Sequence, residues 1–248
     1  MLIDIHIHTE EFSLDSQFPL RRVLSSAVEI GLAGVCITDH ESLALYSEAE
    51  ALSKESGLVV IIGKEYSCQE GHLLVFGALD YIKPGLPLES ALKKIKSQGG
   101  IAIAAHPFRW DSLQMGEAIK KCAPELDGVE AFNGGATAEE NLLAYEFAVE
   151  NGLPVLGGSD AHHETRIGRF ATEFSTPIQS EADFIRAIAK AKNSKRKLES
   201  INVSTRQGTS FVSAYPHQKR LHERVSPPPV HSIKDVLSAP RNRFSVEE

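Results

Sequence analysis

Strand-like and helix-like segments alternate along this chain from its second residue, and imidazoles or carboxylates stand where the strands stop. Apolar runs predict strands at 2–8, 34–38, 58–65, 72–78, 101–106, 128–132 and 154–158. Helical periodicity predicts helices at 19–31, 41–56, 87–98, 113–122, 137–151 and 180–192. A βαβα order requires a largely parallel sheet covered by helices. Seven strands carrying polar groups at their C-terminal ends favour closure into a barrel. The expected fold class is therefore α/β, with a barrel ahead of an open sheet.

Local chemistry supports the individual elements. Pro19 opens the first helix and Gly31 follows it, with Leu20, Val23, Leu24, Ala27, Val28 and Ile30 forming its apolar face. Gln69-Glu70-Gly71 reads as a turn between Glu65 and His72, so the third and fourth strands can pair as a hairpin. The pattern fades after residue 192. Lys195-Arg196-Lys197 and Pro227-Pro228-Pro229 stand among few spaced apolar residues. The reading is one domain over 1–192 and a basic, weakly structured C-terminal extension over 193–248.

Composition narrows the function. Residues 192–248 hold 11 Lys/Arg against 5 Asp/Glu, so the net charge of -7 comes from an acidic body. Such a body suits cation binding and does not suit gripping duplex nucleic acid over a large area. No apolar run approaches the ~20 residues that span a bilayer, and Met1-Leu2-Ile3-Asp4 reads as a strand with no signal-peptide pattern. Cys36, Cys68 and Cys122 are odd in number and far apart. They read as reduced, buried thiols of a cytoplasmic protein, neither a disulfide framework nor a zinc-thiolate site.

The strand ends carry the chemistry. His6 and His8 are two apart in a strand and leave one face, with Ile5 and Ile7 turned toward the helices. Asp39-His40 ends the second strand, Glu65 the third, and His106 the fifth, before Pro107. Asp160 and His162 end the seventh, again two apart. Any one of these histidines fits a hydrogen-bonded structural role. Five strand ends bearing ligand-type residues in one α/β chain point instead to a cluster of divalent cations, which neutral imidazoles and anionic carboxylates bind. Asp4 reads as a group that orients a histidine without touching metal, and Asp39 as one that orients His40 or another ligand.

These residues resemble the four motifs of the PHP (polymerase and histidinol phosphatase) family. The motifs stand here as Asp4-Ile5-His6-Ile7-His8-Thr9, Thr38-Asp39-His40, Ala105-His106-Pro107 and Gly158-Ser159-Asp160-Ala161-His162. The match covers roughly residues 1–190 and is closest to the small stand-alone phosphoesterases of that family. The resemblance implies a distorted (β/α)7 barrel with two or three divalent ions, Zn, Mn or Fe. By motif, His6, His8, Glu65 and Asp160 would hold one ion. Glu65 would bridge to a second held by His72 and His106. Asp15, His40 and His162 would hold the third. Asp15 rests on the segment Phe12-Ser13-Leu14-Asp15-Ser16 resembling the family's loop after the first motif, and a helix-capping role before Pro19 competes with it.

The implied activity is that of a metal-dependent phosphoric ester hydrolase. Its substrate would be a small phosphorylated metabolite, a nucleotide or a nucleic-acid 5' end, with exonuclease action among the outcomes. Glu65 and Asp160 would serve catalysis as ligands. Arg109, three residues beyond His106, would grip phosphate through a guanidinium fork. Arg166 and Arg169 follow the last motif at similar reach. Asn133, before Gly134-Gly135, would bond substrate or only begin a turn. Lys64 should point away from the cluster, and His163 should be no ligand. His217, His222 and His231 lie in the tail. The chain has no nucleophile elbow, P-loop or Cys-x5-Arg loop to compete with metal activation of water. Two other classes stay open, a metal-dependent amidohydrolase acting on a C–N bond and a non-catalytic metal-binding module. Against the first, no strand-end Lys is present to be carbamylated.

Overall fold

The computed structural model describes residues 1–78 and 80–193, together with the backbone of strands at 201–204 and 210–211. β1 (Leu2–Ile7), α1 (Leu20–Glu29), β2 (Gly34–Ile37), α2 (Ala49–Ser56) and β3 (Val59–Ile62) form a parallel βαβαβ unit. Next come β4 (Lys64–Ser67), β5 (His72–Phe76), α3 (Leu88–Ser97), β6 (Ile101–Ala105) and α4 (Leu113–Cys122). β7 (Gly128–Asn133), α5 (Ala138–Glu150), β8 (Val155–Gly158), β9 (Ala171–Phe174), α6 (Glu181–Asn193), β10 (Ile201–Ser204) and β11 (Ser210–Phe211) complete the order.

The fold is mixed α/β, and among the described residues the sheets do not close into the expected distorted (β/α)7 barrel. There are two open sheets, one ordered β11-β10-β9-β1-β2-β3 and the other β4-β5-β6-β7-β8. The apolar run at 58–65 reads as one strand, but it breaks at Gly63, where the chain crosses between sheets. A Cβ there would meet the Phe76 ring at 2.5 Å, so only glycine fits. The sheets touch at two seams through single bridges, His40 with Glu65 and Ile7 with Ala161. The hairpin across Gln69-Glu70-Gly71 is present, with Ser67 opposite His72.

β9 has no counterpart among the predicted strands. Its four residues pair with β1 on one side and with β10 on the other, both antiparallel. β10 and β11 lie in the stretch read as a weakly structured extension. The rest of that stretch, including His217, His222 and His231, lies outside the described residues.

Burial follows the period of two along the strands. Leu74 and Phe76 of β5 and Ile101, Ile103 and Ala105 of β6 join Ile61, Leu156, Phe174 and the α6 residues Phe184 and Ile188 in one apolar cluster. Leu73, Val75, Ala102 and Ala104 face the opposite way, against α3, α4 and α5. A third cluster lies under α1, with Val23, Ala27, Val35, Ile37, Val60 and Ile62. A register shift in β1 between Asp4 and Ile7 alters the expected alternation. Ile3 and Ile5 enter the cluster shared by both sheets, whereas Leu2 and Ile7 pack under α1. Cys36, Cys68 and Cys122 are free and buried. No described helix is long and apolar enough to cross a membrane.

Candidate metal centre

The strand ends bring the ligand-type residues to one place. β1 delivers His6 and His8, the turn after β2 delivers His40, and β4 delivers Glu65. His106 follows β6, and Asp160 and His162 follow β8. His72 is the first residue of β5, not the last. Because β5 runs antiparallel to both neighbours, its beginning lies opposite Ala105, beside the end of β6. His106 and Asp160 both have positive φ, 31° and 52°. A non-glycine residue in that region costs energy, so tight packing must hold each corner.

Glu65, buried at 1% exposure, is the hub. Its Oε1 lies 2.9 Å from His106 Nε2 and 3.1 Å from His72 Nδ1. Its Oε2 lies 3.2 Å from His8 Nε2, 3.3 Å from His40 Nδ1 and 3.4 Å from His6 Nε2. Asp160 Oδ1 lies 3.4 Å from both His6 Nε2 and His8 Nε2. At the outer side, Asp15 Oδ2 meets His40 Nε2 at 3.2 Å and His162 Nε2 at 3.1 Å. Asp15, placed in the loop between β1 and α1, thus reaches the cluster and caps no helix.

The donor set fits divalent ions. Ligand atoms 2.0–2.1 Å from a tetrahedral ion stand about 3.3 Å apart. Around His6, His8, Glu65 and Asp160 the separations run from 2.9 to 3.4 Å. His6 Nε2 and His8 Nε2 face each other at 2.9 Å, a contact that neutral imidazoles satisfy with only one hydrogen. His72 Nδ1 is buried and makes no hydrogen bond among the described residues. Its 3.1 Å approach to Glu65 is close enough for an ion pair but is not aimed as a hydrogen bond. Compatible triads are His6–His8–Asp160, Glu65–His72–His106, His8–His40–His162 and His6–His106–Glu130.

Electrostatics follow from this crowding. Burial alone would lower the His6 and His8 imidazoles, but Glu130, Asp160 and Glu65 hold His6 well above its ordinary value, and Asp160 and Glu65 push His8 up to about 9. Burial would raise Glu65 and Asp160, but the surrounding histidines hold both well below the carboxylate range. His72 also titrates above its ordinary value, since Glu65 outweighs burial. Burial and the neighbouring His8 lower His162. Carboxylates thus favour the protonated form at His6, His8 and His72.

A further set of residues orients the cage. Glu130, fully buried in β7, accepts from His6 Nδ1 at 2.9 Å. Ser13 Oγ lies 3.2 Å from His8 Nδ1 and donates to Asp39 Oδ1 at 2.7 Å. Asp39 also accepts from Thr9 N and Thr9 Oγ1. It therefore steadies Ser13 and, through it, the His8 ring and the backbone of His40, whose N–H donates to Ser13 Oγ at 3.2 Å. Asp4 departs from expectation. Its oxygens accept backbone N–H bonds from Ser159 at 2.9 Å, Gly168 at 2.9 Å and His6 at 3.3 Å. It latches the β1–β8 seam and touches no imidazole. Burial raises its carboxyl to about 6 against those three bonds.

Arg109 is half-buried and already paired, through Nε to Asp111 at 2.7 Å and through Nη1 to Asp160 Oδ2 at 2.6 Å. Asn133 ends β7 and donates to Glu130 Oε2 at 3.0 Å and to Asp160 Oδ2 at 3.3 Å. Its own oxygen accepts from Gly135 N and Ala136 N. Lys64 is buried, and burial lowers its ammonium against the opposing charge of Glu41. His163, Arg166 and Arg169 are exposed on the turn after the last motif. Glu130 and Ser13 were missed from sequence. Glu130 left one signal, a lone carboxylate in the otherwise uncharged strand Gly128–Asn133.

A family model described as PHP-associated matches residues 138–193. An uncharacterised protein of Methanocaldococcus jannaschii is 37% identical over 142 residues, which are 54% of this chain and 82% of that protein. The phosphoribosyl 1,2-cyclic phosphate 1,2-diphosphodiesterase of Eggerthella lenta is 28% identical over 137 residues, 55% of this chain and 48% of the enzyme. A crystal structure from Bifidobacterium adolescentis, named for a metal-dependent phosphoesterase, superposes with a TM-score of 0.54 at 22% identity. That match covers 65% of this chain and 88% of the other, and shows likeness of fold.

Proposed function

This chain belongs to the PHP family of metal-dependent phosphoesterases, and we propose that it hydrolyses a phosphate ester at a multinuclear centre. The substrate would be a small metabolite, a nucleotide or a nucleic-acid 5' end. One observation carries the reading: the carboxylate of Glu65 is shared by five imidazoles, two on one oxygen and three on the other. An isolated ion pair needs no such arrangement, whereas a carboxylate bridging two cations does.

His6, His8, Glu65 and Asp160 would hold one ion, and Glu65, His72 and His106 a second. Asp15, His40 and His162 would hold a third at the more exposed edge, where Asp15 is 58% accessible. Bound divalent ions would supply a lowered pKa for a neighbouring water and positive charge against the phosphoryl oxygens. Zinc, manganese and iron all suit imidazole and carboxylate donors.

The chain's own groups do the rest. Asp160 fixes Arg109 with one oxygen, aiming a guanidinium at the centre while Asp111 holds its other end. Nη2 then remains for a phosphoryl oxygen, adding a hydrogen bond that strengthens as charge gathers there. Phe12, Leu14 and Trp110 stand exposed in the segments that carry Asp15 and Arg109. They offer apolar contact to the rest of the substrate. The buried floor keeps bulk water away from His6, His8 and His106.

The test is hydrolysis of p-nitrophenyl phosphate esters by protein loaded with manganese or zinc, followed by a screen of phosphorylated metabolites and 5'-phosphorylated oligonucleotides. Turnover that disappears in folded His6→Ala and Asp160→Ala is expected. Tightly held metal with no phosphoester turnover in the screen would reject the reading.

A further inference from the structure

We propose that Glu130 is the positioning residue of this centre: it decides which nitrogen of His6 faces the cations and is not itself a ligand. The inference rests on the reading that the cage holds divalent ions. Glu130 lies in β7 with no exposed surface. Its Oε1 takes the His6 Nδ1 hydrogen at 2.9 Å, and its Oε2 accepts from His106 N at 3.1 Å and Asn133 Nδ2 at 3.0 Å. A carboxylate only accepts, so its partner nitrogen on His6 must carry the hydrogen. In the neutral ring, the form that binds a cation, the lone pair of His6 then sits on Nε2. That is the atom facing His8 Nε2, Glu65 Oε2 and Asp160 Oδ1.

The rival assignment makes Glu130 a ligand with His6 and His106, since those three can bring donor atoms within 4.8 Å of one another. The hydrogen bonds oppose it. Both oxygens of Glu130 are engaged by donors, and His106 Nε2 already meets Glu65 Oε1 at 2.9 Å. Asn133 cannot turn its amide around to free Glu130, because its oxygen is held by Gly135 N and Ala136 N. One carboxylate therefore ties three ligand positions. It fixes the His6 ring, the backbone of His106 at its positive φ, and Asp160 through Asn133. β8 leaves room for it only because residue 158 is glycine, where a Cβ would meet Glu130 Oε1 at 2.6 Å.

Gln in place of Glu130 has the same shape but cannot serve all three donors. Presenting oxygen to His6 turns its amide hydrogens on His106 N–H and Asn133 Nδ2. Presenting nitrogen to His6 moves the ring hydrogen to Nε2, the face meant for metal. Affinity for zinc or manganese should fall between about 10- and 100-fold in Glu130→Gln, and less in Glu130→Asp. Competition against a chromogenic chelator reads this on the full chain. Thr172→Val serves as the structural control. It removes two buried bonds to Gly157 and touches no ligand, so it should lower the melting temperature without moving affinity.

The wild-type chain provides the second readout and needs no variant to fold. In the ¹⁵N-labelled, zinc-loaded protein, long-range ¹H–¹⁵N spectra of the histidine rings should show His6 with hydrogen on Nδ1 and metal on Nε2. Metal on Nδ1, or an affinity loss in Glu130→Gln no greater than in Thr172→Val, would overturn the assignment. A wild-type chain that binds neither zinc nor manganese would remove the proposed function as well. Unchanged affinity in Glu130→Gln, with wild-type binding intact, removes only this inference.

Discussion

Asp160 divides its carboxylate between two tasks. Oδ2 holds Arg109 Nη1 at 2.6 Å, and Oδ1 faces the Nε2 atoms of His6 and His8 at 3.4 Å. Arg109 is thereby locked beside the centre without replacing any imidazole. Arg109→Ala should lower kcat/KM on an aryl phosphate by roughly 10²-fold, the scale for losing one donor to developing charge. Metal content, measured by mass spectrometry, should stay at the wild-type level. Arg109→Lys should rescue little, because an ammonium cannot bond Asp160, Asp111 and substrate in one plane. Unchanged kinetics in Arg109→Ala would reduce the residue to an ion-pair partner.

The metal-free cage should lose stability as pH rises, and the metal-loaded cage should not. His8 titrates near 9 in the folded chain against an ordinary 6.5, with His6 also raised. A raised imidazole stabilises fully below its unfolded value and loses that contribution as pH climbs through the folded one. For His8 alone the loss between pH 6.5 and 9 is about 3 kcal/mol. That corresponds to a melting temperature lower by on the order of 10 °C. Cations bind only the deprotonated rings, so loading at pH 7 should release protons and flatten the decline. Calorimetric titration in buffers of different ionisation enthalpy counts the protons. A metal-free melting curve that is flat from pH 7 to 9.5 would contradict this account.

Much of the centre is legible in the residues themselves, and the reasons are local. His6-x-His8 and Asp160-x-His162 declare shared faces through the strand period, and Pro107 and Gly158 mark where strands stop. His72 is legible because Gln69-Glu70-Gly71 announces a hairpin, and a hairpin returns its second strand to the same rim. What escapes is set by contacts distant in the chain. Nothing beside Glu130 shows that His6, 124 residues earlier, will meet it. The split into two sheets hangs on Gly63 packing against Phe76, and β9 on a four-residue stretch that finds both its partners far away in sequence. Asp4 stands two residues from His6 and so suggests a histidine partner. Its carboxylate turns instead to backbone N–H groups just beyond β8 and before β9.

That role makes Asp4 a test of the seam. Asp4→Ala would strand the N–H groups of Ser159, Gly168 and His6 in a buried site. The cost should be about 3 kcal/mol in urea denaturation of the metal-free chain, given the penalty for buried donors left without partners. Because the seam sets the distance from β1 to Asp160, metal affinity should fall with it, although Asp4 touches no imidazole. A loss under about 1 kcal/mol would show that water replaces the carboxylate and that the latch is dispensable.

Gly158 offers the converse experiment, adding atoms where the seam has none to spare. A Cβ at this position would lie 2.6 Å from His6 Cβ and 2.6 Å from Glu130 Oε1. Both neighbours are fully buried and neither can swing aside, so β8 must move off β1. Gly158→Ala should therefore destabilise the chain by about 2 kcal/mol, within the range for overpacked cores. It should also weaken zinc binding by roughly tenfold, the scale seen when a ligand's supporting contacts are disturbed. No ligand atom is altered, so the affinity loss would report geometry alone. Since β8 leads into Asp160 and His162, the shift separates those two from the ligands on β1 and leaves Glu65, His72 and His106 together. Zinc titrated into the variant should then give one site of nearly wild-type affinity and a weakened remainder. Uniform weakening of all sites, or none, would show that the two sheets do not hold separable parts of the centre.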